Sequence, residues 1–345
     1  MVGMSGPLPQ FLAPLAWPAS LIYGAAVRLR TARLNAASAW QASVPVISVG
    51  NITAGGTGKS PMVRWIVQTL RDLGRAPAIV LRGHRGGAHS DEALEHHEAV
   101  PEVMLGVGTQ RRAVITELLR EHPHINAIVL DDGFQHRAVA RDFDLVLVDA
   151  TRPSLHDALL PMGWLREPAA SLRRADAVVV TRAMCVMEEL AQDIQRLHGQ
   201  APLAWTDHRW KDLRMHQAGK DQVEAVTWLR GRRVAVWAGL GNPSAFIAQL
   251  QGQGAVIAAA PTLGDHHRYT NAGVAALLRG ATACGAEAIV CTEKDWVKVR
   301  TVLPAQLPHA PIVRPTLQLG CVHGGEGLRA AIFKAVQAGD LRRNR

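Results

Sequence analysis

Five short apolar runs, each ending in polar or glycine-rich residues, constrain this chain more than any other feature. They are Val44 to Val49; Ala76 to Leu81, followed by Arg82-Gly83-His84-Arg85-Gly86-Gly87; Ala127 to Leu130, closing in Asp131-Asp132-Gly133; Leu145 to Val148, closing in Asp149; and Ala177 to Val180, closing in Thr181-Arg182. A strand with one face in water alternates apolar and polar residues. These runs do not alternate, so both faces must be covered, as in a parallel sheet. Helical patterns, Met62 to Leu73 and Arg111 to Glu121, lie between some of them. Repeated strand–helix units predict a doubly wound α/β sheet, which binds ligands at the carboxyl ends of its strands.

The first strand leads into Thr53-Ala54-Gly55-Gly56-Thr57-Gly58-Lys59-Ser60, with the helical pattern directly after it. Strand, glycine turn and helix in that order make a P-loop. The glycines let successive backbone N–H groups turn inward around phosphate oxygens. Lys59 then reaches the β/γ-phosphates, Ser60 offers its hydroxyl to Mg²⁺, and the helix adds its positive N-terminal dipole. Pro61 at the start of that helix forfeits no hydrogen bond. The usual pattern opens with Gly, and Thr53 stands there instead. A P-loop enzyme also needs an acid at a neighbouring strand end to hold Mg²⁺. Asp131 and Asp132 are favoured as metal residues alongside Ser60, since paired carboxylates at a strand end repel unless a cation sits between them. Asp149 is the rival, and helix capping is the ordinary alternative for any of these acids.

The chain carries a formal net charge of +9, which admits nucleic acid, an anionic membrane or a phosphorylated substrate as partner. No block of five Lys/Arg and no zinc-finger or RNA-recognition pattern accompanies the charge, so nucleic acid is set aside. Cys185, Cys284, Cys291 and Cys321 form no C-x-x-C pair and read as buried free thiols in a reducing compartment. The first charged residue is Arg28. Before it lie Phe11, Leu12, Leu15, Trp17, Leu21, Ile22 and Tyr23, interrupted by Pro7, Pro9, Pro14 and Pro18. The prolines argue against a membrane span, and the charges lie on the wrong side for a signal peptide. A helix with Pro18 in its first turn, running to about Leu34, would put an apolar surface ahead of Arg28, Arg30 and Arg33. That order suits a helix lying in an anionic membrane interface; the plainer alternative is a helix packed on the core.

From about Leu203 to Leu229 two polar, Trp-bearing strand-like pieces flank Gly219-Lys220-Asp221 and read as a hairpin. A second α/β pattern follows, with strands at Arg233 to Trp237, Ala255 to Ala259 and Ala288 to Cys291. The expected organisation is therefore a membrane-associating helix over 1–35, a P-loop domain over 36–202, a β-hairpin linker over 203–229 and a smaller α/β domain over 230–345. The last residues, Arg342-Arg343-Asn344-Arg345, read as a disordered basic tail.

Five segments together resemble the tetraacyldisaccharide 4'-kinases of lipid A synthesis: Gly50-Asn51-Ile52-Thr53 through Pro61, a P-loop that in that family also opens with Thr; Asp131-Asp132-Gly133-Phe134-Gln135-His136; Leu160-Pro161 through Leu165-Arg166-Glu167-Pro168; Asp265-His266-His267-Arg268-Tyr269-Thr270; and Thr292-Glu293-Lys294-Asp295. They run in order from about residue 45 to 298. The resemblance implies that ATP-Mg²⁺ donates its γ-phosphoryl to the 4'-hydroxyl of a tetraacylated glucosamine disaccharide 1-phosphate, giving lipid IVA. It also implies peripheral or monotopic work at the cytoplasmic face of the inner membrane, with an acylated disaccharide lipid and an anionic membrane surface as partners and no obligate protein partner. Carried over, Asp91 and His266 pair to take the acceptor proton, with Lys59 the third catalytic residue. Around Asp91 the match departs from the family's Gly-Asp-Glu-Pro: Ser90 replaces Gly and Ala93 replaces Pro. Leu81 and His84 likewise depart from the family's Ser-Arg-Gly-Tyr. A helix N-cap for Asp91 and a satisfied polar role for His266 stay open, and His267 is a rival ligand or base. Lys59 and Asp91 fall in the first domain and His266 in the second, so a site assembled across a cleft is expected. Arg166, Glu167 and the Arg82 to Arg85 loop are candidates for substrate phosphate or metal.

Two rivals share the glycine core. Partitioning and metal-delivery ATPases carry Gly-Gly-x-Gly-Lys-[Ser/Thr] like Gly55 to Ser60, but usually with a Lys before the paired glycines, where this chain has Ala54. A GTP-binding switch needs an Asn-Lys-x-Asp segment after a strand. Thr181-Arg182-Ala183-Met184 does not supply it, and Thr292-Glu293-Lys294-Asp295 is a loose echo. A non-catalytic membrane module leaves the P-loop and its acids without a use.

Overall fold

The computed structural model describes residues 13–36, 38–83, 91–217, 219–240, 243–264, 267–304 and 310–343. The chain forms two compact units, Met1–His208 with Leu319–Arg345, and Arg209–Gln318.

In the first unit, strands β1 (Val46–Asn51), β2 (Pro77–Leu81), β3 (Met104–Val107), β4 (Ala127–Asp131), β5 (Phe143–Asp149) and β6 (Ala177–Thr181), with the start of β7 (Ala204–Gln217), lie in the order β7-β6-β5-β1-β4-β2-β3. All of these pairings are parallel. Successive side chains of a strand point to opposite faces. Ile47, Val49, Ile79, Val129, Leu145 and Val179 therefore enter one core with Met62, Ile66 and Leu70 of α2 (Lys59–Asp72). Their neighbours Val46, Val80, Ile128 and Leu130 meet Ile115 and Leu118 of α4 (Arg111–Glu121) on the other face. Further along that face, Val146, Val148, Val178 and Val180 meet Leu190 and Ile194 of α5 (Glu188–His198). Coverage of both faces is why the strands read as unbroken apolar runs. β3 escapes that reading: it has four residues and pairs with β2 at the end of the order, with Met104 exposed.

The second unit repeats the plan on a smaller scale. β10 (Val256–Ala259), β9 (Arg233–Trp237), β11 (Ala288–Cys291) and β12 (Ile312–His323) are parallel neighbours. Ala235, Trp237, Ile289 and Cys291 share a core with Val274 and Leu278 of α7 (Asn271–Ala283), while Val234, Val236, Ala288 and Val290 share the other with Leu250 of α6 (Pro243–Gly252). The expected hairpin is present: β7 pairs antiparallel with β8 (Lys220–Glu224), from Leu213 opposite Glu224 to Gln217 opposite Lys220.

Several details differ from the sequence reading. The N-terminal helix α1 spans Ala13–Ala36 and keeps Pro18 inside it, at the cost of one intrahelical bond, rather than beginning there. The last helix, α9 (Gly325–Arg343), belongs to the first unit and not to the second, because Leu328, Ile332 and Val336 complete the core around α2. Arg342 and Arg343 are helical and both bond Asp142, so the basic tail is ordered at least to Arg343. All four cysteines are free, but only Cys291 is buried, and Cys185 and Cys321 are exposed.

Candidate phosphate-transfer site

The glycine loop leaves β1 and turns into α2, with Gly55 at φ 107° and Gly58 at φ 82°, conformations that suit glycine. Gly58 is the N-cap of α2, so Lys59 and Ser60 open the helix and its positive dipole end faces the loop. Buried contacts fix the loop's shape. Asn51 donates its side-chain amide to the Thr57 hydroxyl at 2.9 Å, and the Thr181 hydroxyl at the end of β6 donates to the Thr57 carbonyl at 2.8 Å. The segment around Arg166 runs alongside: Thr53 bridges to Leu165, Ala54 N–H donates to the Trp164 carbonyl at 2.7 Å, and Arg166 N–H donates to the Ile52 carbonyl at 2.8 Å. Two of the signature segments thus make one structure.

The neighbouring acids separate. Asp131 ends β4 on the same face as Val129 and points to α3 (Asp91–Ala99), where the buried His96 lies with Nε2 2.9 Å from its carboxylate. The Asp131 carbonyl accepts from the buried Arg111 at 3.0 Å. Asp132, one residue on and at φ 52°, lies 3.6 Å from Lys59 and accepts from Arg166 at 2.9 and 3.1 Å. Burial raises the Asp132 pKa, but Lys59, Arg166 and Arg111 outweigh it and hold the carboxyl below its ordinary range. The two carboxylates thus have different partners among the described residues, His96 for Asp131 and Lys59 with Arg166 for Asp132. Asp149 is engaged elsewhere, ion-paired with Arg182 and accepting from the Thr151 N–H and hydroxyl at 2.9 and 2.6 Å.

Beside Asp132 lies a cavity of about 440 Å³. Arg30, Arg82, Arg111, Arg137 and Arg166 line it, with Asp132 and Glu167 as its carboxylates. Glu167 is buried and accepts from Arg174 at 2.7 Å. Burial, then Arg111, Arg141, Arg30 and Arg82, push the cavity's His136 down to about 4, so it is neutral amid the guanidinium groups. α1 forms one wall through Tyr23, Val27, Thr31 and Leu34. It is tied down by the Tyr23 hydroxyl donating to the Arg166 carbonyl at 3.0 Å, Ser20 donating to Leu159 at 2.7 Å and Arg30 donating to Gln135 at 3.1 Å. The helix turns Trp17, Leu21, Ile22 and Leu29 outward, with Ile22 73% exposed. Among the described residues no helix is long and apolar enough to cross a membrane.

Asp91 begins α3, but its side chain lies outside the described residues, as do His266 and Arg85. His267 is described: its N–H donates to the Gly264 carbonyl at 3.0 Å and its ring meets Tyr269 edge-on at 4.8 Å. In the same unit Asp295 is buried, accepting from the Tyr269 hydroxyl at 3.0 Å, the Thr292 hydroxyl at 2.6 Å and the Gly239 N–H at 3.1 Å. The Thr292 to Asp295 segment is thus the capped start of α8 (Glu293–Val299), not a base-reading loop. The sequence reading placed Arg30 at an anionic membrane interface, assigned Gln135 no role beyond its signature segment, and passed over Arg111 at the cavity and Arg152 and His208 at the loop. A basic residue on a surface helix or turn looks the same in sequence whichever way it faces.

The family described as tetraacyldisaccharide-1-P 4'-kinase (LpxK) matches residues 12–323. The tetraacyldisaccharide 4'-kinase of Geobacter metallireducens is 35% identical over 305 residues, 82% of this chain and 88% of its own. That of Anaeromyxobacter sp. strain K is 35% identical over 321 residues, 86% and 83% of the two chains. Among solved structures, LpxK from Aquifex aeolicus, an "apo" form in complex with ATP, superposes with a TM-score of 0.72 at 23% identity, covering 94% of this chain and 99% of that one, and so shares the fold. With the P-loop, its acid and three further signature segments all inside the matched span, the chain belongs to the tetraacyldisaccharide-1-P 4'-kinase family.

Proposed function

We propose that this protein transfers the γ-phosphoryl group of ATP to the 4'-hydroxyl of a tetraacylated glucosamine disaccharide 1-phosphate, giving lipid IVA in lipid A biosynthesis. One observation carries the reading. Lys59, Asp132 and Arg166 meet where the phosphate loop adjoins an arginine-lined cavity that has α1 for a wall. Five guanidinium groups suit a phosphorylated sugar headgroup. A helix whose outer residues include Trp17, Leu21, Ile22 and Leu29 suits a substrate held by acyl chains in a bilayer. On this reading the enzyme works peripherally at the cytoplasmic face of the inner membrane, against its anionic lipids.

The donor set fits Mg²⁺, which binds through one or two carboxylates, substrate phosphates and water rather than an all-protein cage. Asp132 and Ser60 stand at the loop, and among the described residues no group of three His, Cys, Asp or Glu could hold a metal by itself. Bound there, the ion would neutralise charge on the β- and γ-phosphates. Lys59 and the backbone N–H groups of the loop from Thr53 to Ser60, apart from that of Ala54, which bonds the Trp164 carbonyl, hold the triphosphate. Arg166 orients Asp132 through two hydrogen bonds. Asp91 and His266 take the acceptor proton as a coupled pair, the roles the family resemblance implies for them.

Purified protein, ATP-Mg²⁺ and the acylated disaccharide 1-phosphate in mixed micelles, followed by mass analysis, test the proposal. The expected product is the acceptor with one added phosphate on the distal sugar. ATP turnover that needs a protein partner and ignores the lipid would return the chain to the partitioning-type ATPases. Competition by GTP as strong as by ATP would count against the adenine-nucleotide donor.

A further inference from the structure

Related loops with paired glycines carry a second lysine just before them, and here that place is Ala54. Phosphoryl transfer spreads negative charge over the γ-phosphoryl oxygens, and its stabilisation by fixed cations is a large part of catalysis. Two arginines approach the loop. Arg152 lies in the turn after β5, and a Cβ built on Gly55 would be 3.3 Å from its Nη2. Arg182 follows β6, and a Cβ built on Gly56 would be 3.9 Å from its Nη2. The two are held differently. Arg182 is matched by the buried carboxylate of Asp149. The guanidinium carbon of Arg152 lies over the Trp164 ring, 3.9 Å from its centroid. The Trp164 carbonyl accepts the Ala54 N–H, so the ring that carries this guanidinium is fastened to the loop itself. Among the described residues Arg152 has no carboxylate partner. A guanidinium held over an aromatic ring makes no hydrogen bond to it through its acceptor-less carbon, so N–H groups stay able to donate to an oxyanion.

From this geometry we propose that Arg152 is an arginine finger supplied in cis, its guanidinium binding the terminal phosphoryl group of the ATP on the loop in place of the lysine that Ala54 replaces. The proposal rests on the kinase reading above. In the transfer, the bond between the γ-phosphorus and the β–γ bridging oxygen breaks and its electron pair leaves with ADP. The acceptor oxygen forms the new bond and its proton goes to the base. Arg152 gives up no proton; it neutralises charge on the non-bridging oxygens.

Arg152→Ala and Arg152→Lys in the full chain test this with four readouts: ADP affinity with Mg²⁺, trapping of ADP with aluminium fluoride, kcat and KM for the lipid acceptor, and rescue by added guanidinium. The expected result for Arg152→Ala is a kcat at least about 100-fold lower, with ADP affinity and lipid KM within about threefold of wild type. The fluoroaluminate complex, which mimics the transferring phosphoryl group, should fail to form, and guanidinium should restore part of kcat. Arg152→Lys should recover little, because a point charge replaces the planar fork. A kcat within about fivefold of wild type, or unimpaired trapping, overturns the proposal. So does loss of ADP binding and thermal stability in both variants, which would make Arg152 a structural residue. If the wild type phosphorylates no lipid, the kinase reading fails, and the trapping arm still decides Arg152.

Discussion

Asp131 and Asp132 are adjacent in sequence, but Asp131 ends β4 and Asp132 turns left-handed just past it, so they meet different partners. One faces His96 in the interior of the fold and the other faces Lys59 at the phosphate loop. The sequence shows the two only as a pair of carboxylates at a strand end; which group each one meets depends on α3 and on the phosphate loop, which lie far away in the chain. Asp132→Ala should lower kcat at least about 100-fold with little change in thermal stability. Asp131→Ala should cost about 1–3 kcal/mol of stability by leaving His96 without its acceptor, and reduce kcat less. Urea denaturation beside steady-state kinetics separates the two, and the reverse ordering would exchange their roles. His208 allows a second residue-level expectation. Its ring lies 2.8 Å from where a Gly58 Cβ would be, and burial, then Arg182, lower its pKa from 6.5 to about 4, with Asp149, Asp207 and Arg64 also facing it. A histidine with a depressed folded pKa is protonated first in the unfolded chain. Its stabilising contribution is therefore full above pH 6.5 and is lost as pH falls from about 6.5 to 4, by about 2–3 kcal/mol. His208→Gln should flatten that part of the stability profile; His136, also lowered to about 4, would retain a similar slope of its own. An unchanged profile in the variant would mean that His208 is not a neutral buried group.

Among the elements, those legible in sequence were the ones whose burial is uniform. β1, β2, β4, β5 and β6 are buried at every position, and an unbroken apolar run has no other economical explanation. α4 matches its sequence reading because its apolar residues recur at helical spacing. α1 was legible in kind but not in extent, since proline disfavours helix interiors without forbidding them. Its docking to Leu159, Gln135 and Arg166 depends on distant residues that no local pattern announces. The two surfaces of α1 can be tested apart. Ile22→Glu with Leu29→Glu changes side chains that are 73% and 62% exposed, so folding stability should move by less than about 0.5 kcal/mol per site. Co-sedimentation with vesicles containing anionic lipid should nevertheless fall several-fold, as should turnover of vesicle-borne acceptor, while turnover of a short-chain soluble acceptor is kept. Equal sedimentation of variant and wild type would assign membrane binding to another surface.

At the scale of the molecule, the decisive feature is that the chain leaves the first unit through β7 and returns to it through β12 and α9. The second unit is therefore an insertion in the first, not a domain appended after it. Sequence order suggests the opposite, because a helical pattern after an α/β pattern reads as its continuation. The packing of Leu328, Ile332 and Val336 in one core with residues some 260 positions earlier, such as Ile66 and Leu70, reveals the return. The energetics make α9 indispensable. Full burial of one such side chain contributes about 1.5–3 kcal/mol, so the three together approach the 5–15 kcal/mol by which a domain is stable at all. The bonds of Arg342 and Arg343 to Asp142 add to this at the helix end, with Arg343 also donating to the Ala42 carbonyl at 2.9 Å. Ending the chain after Gly324 should accordingly abolish cooperative unfolding of the first unit and with it nucleotide binding, although every residue of the phosphate loop is kept. The milder Ile332→Ala, which leaves a cavity against α2 and β1, should lower stability by about 2–5 kcal/mol and leave kcat within about twofold wherever the variant is folded. Thermal melts and ADP titrations of both chains decide the matter: a truncated protein that still melts cooperatively and binds ADP would show that the first unit folds without its returning helix.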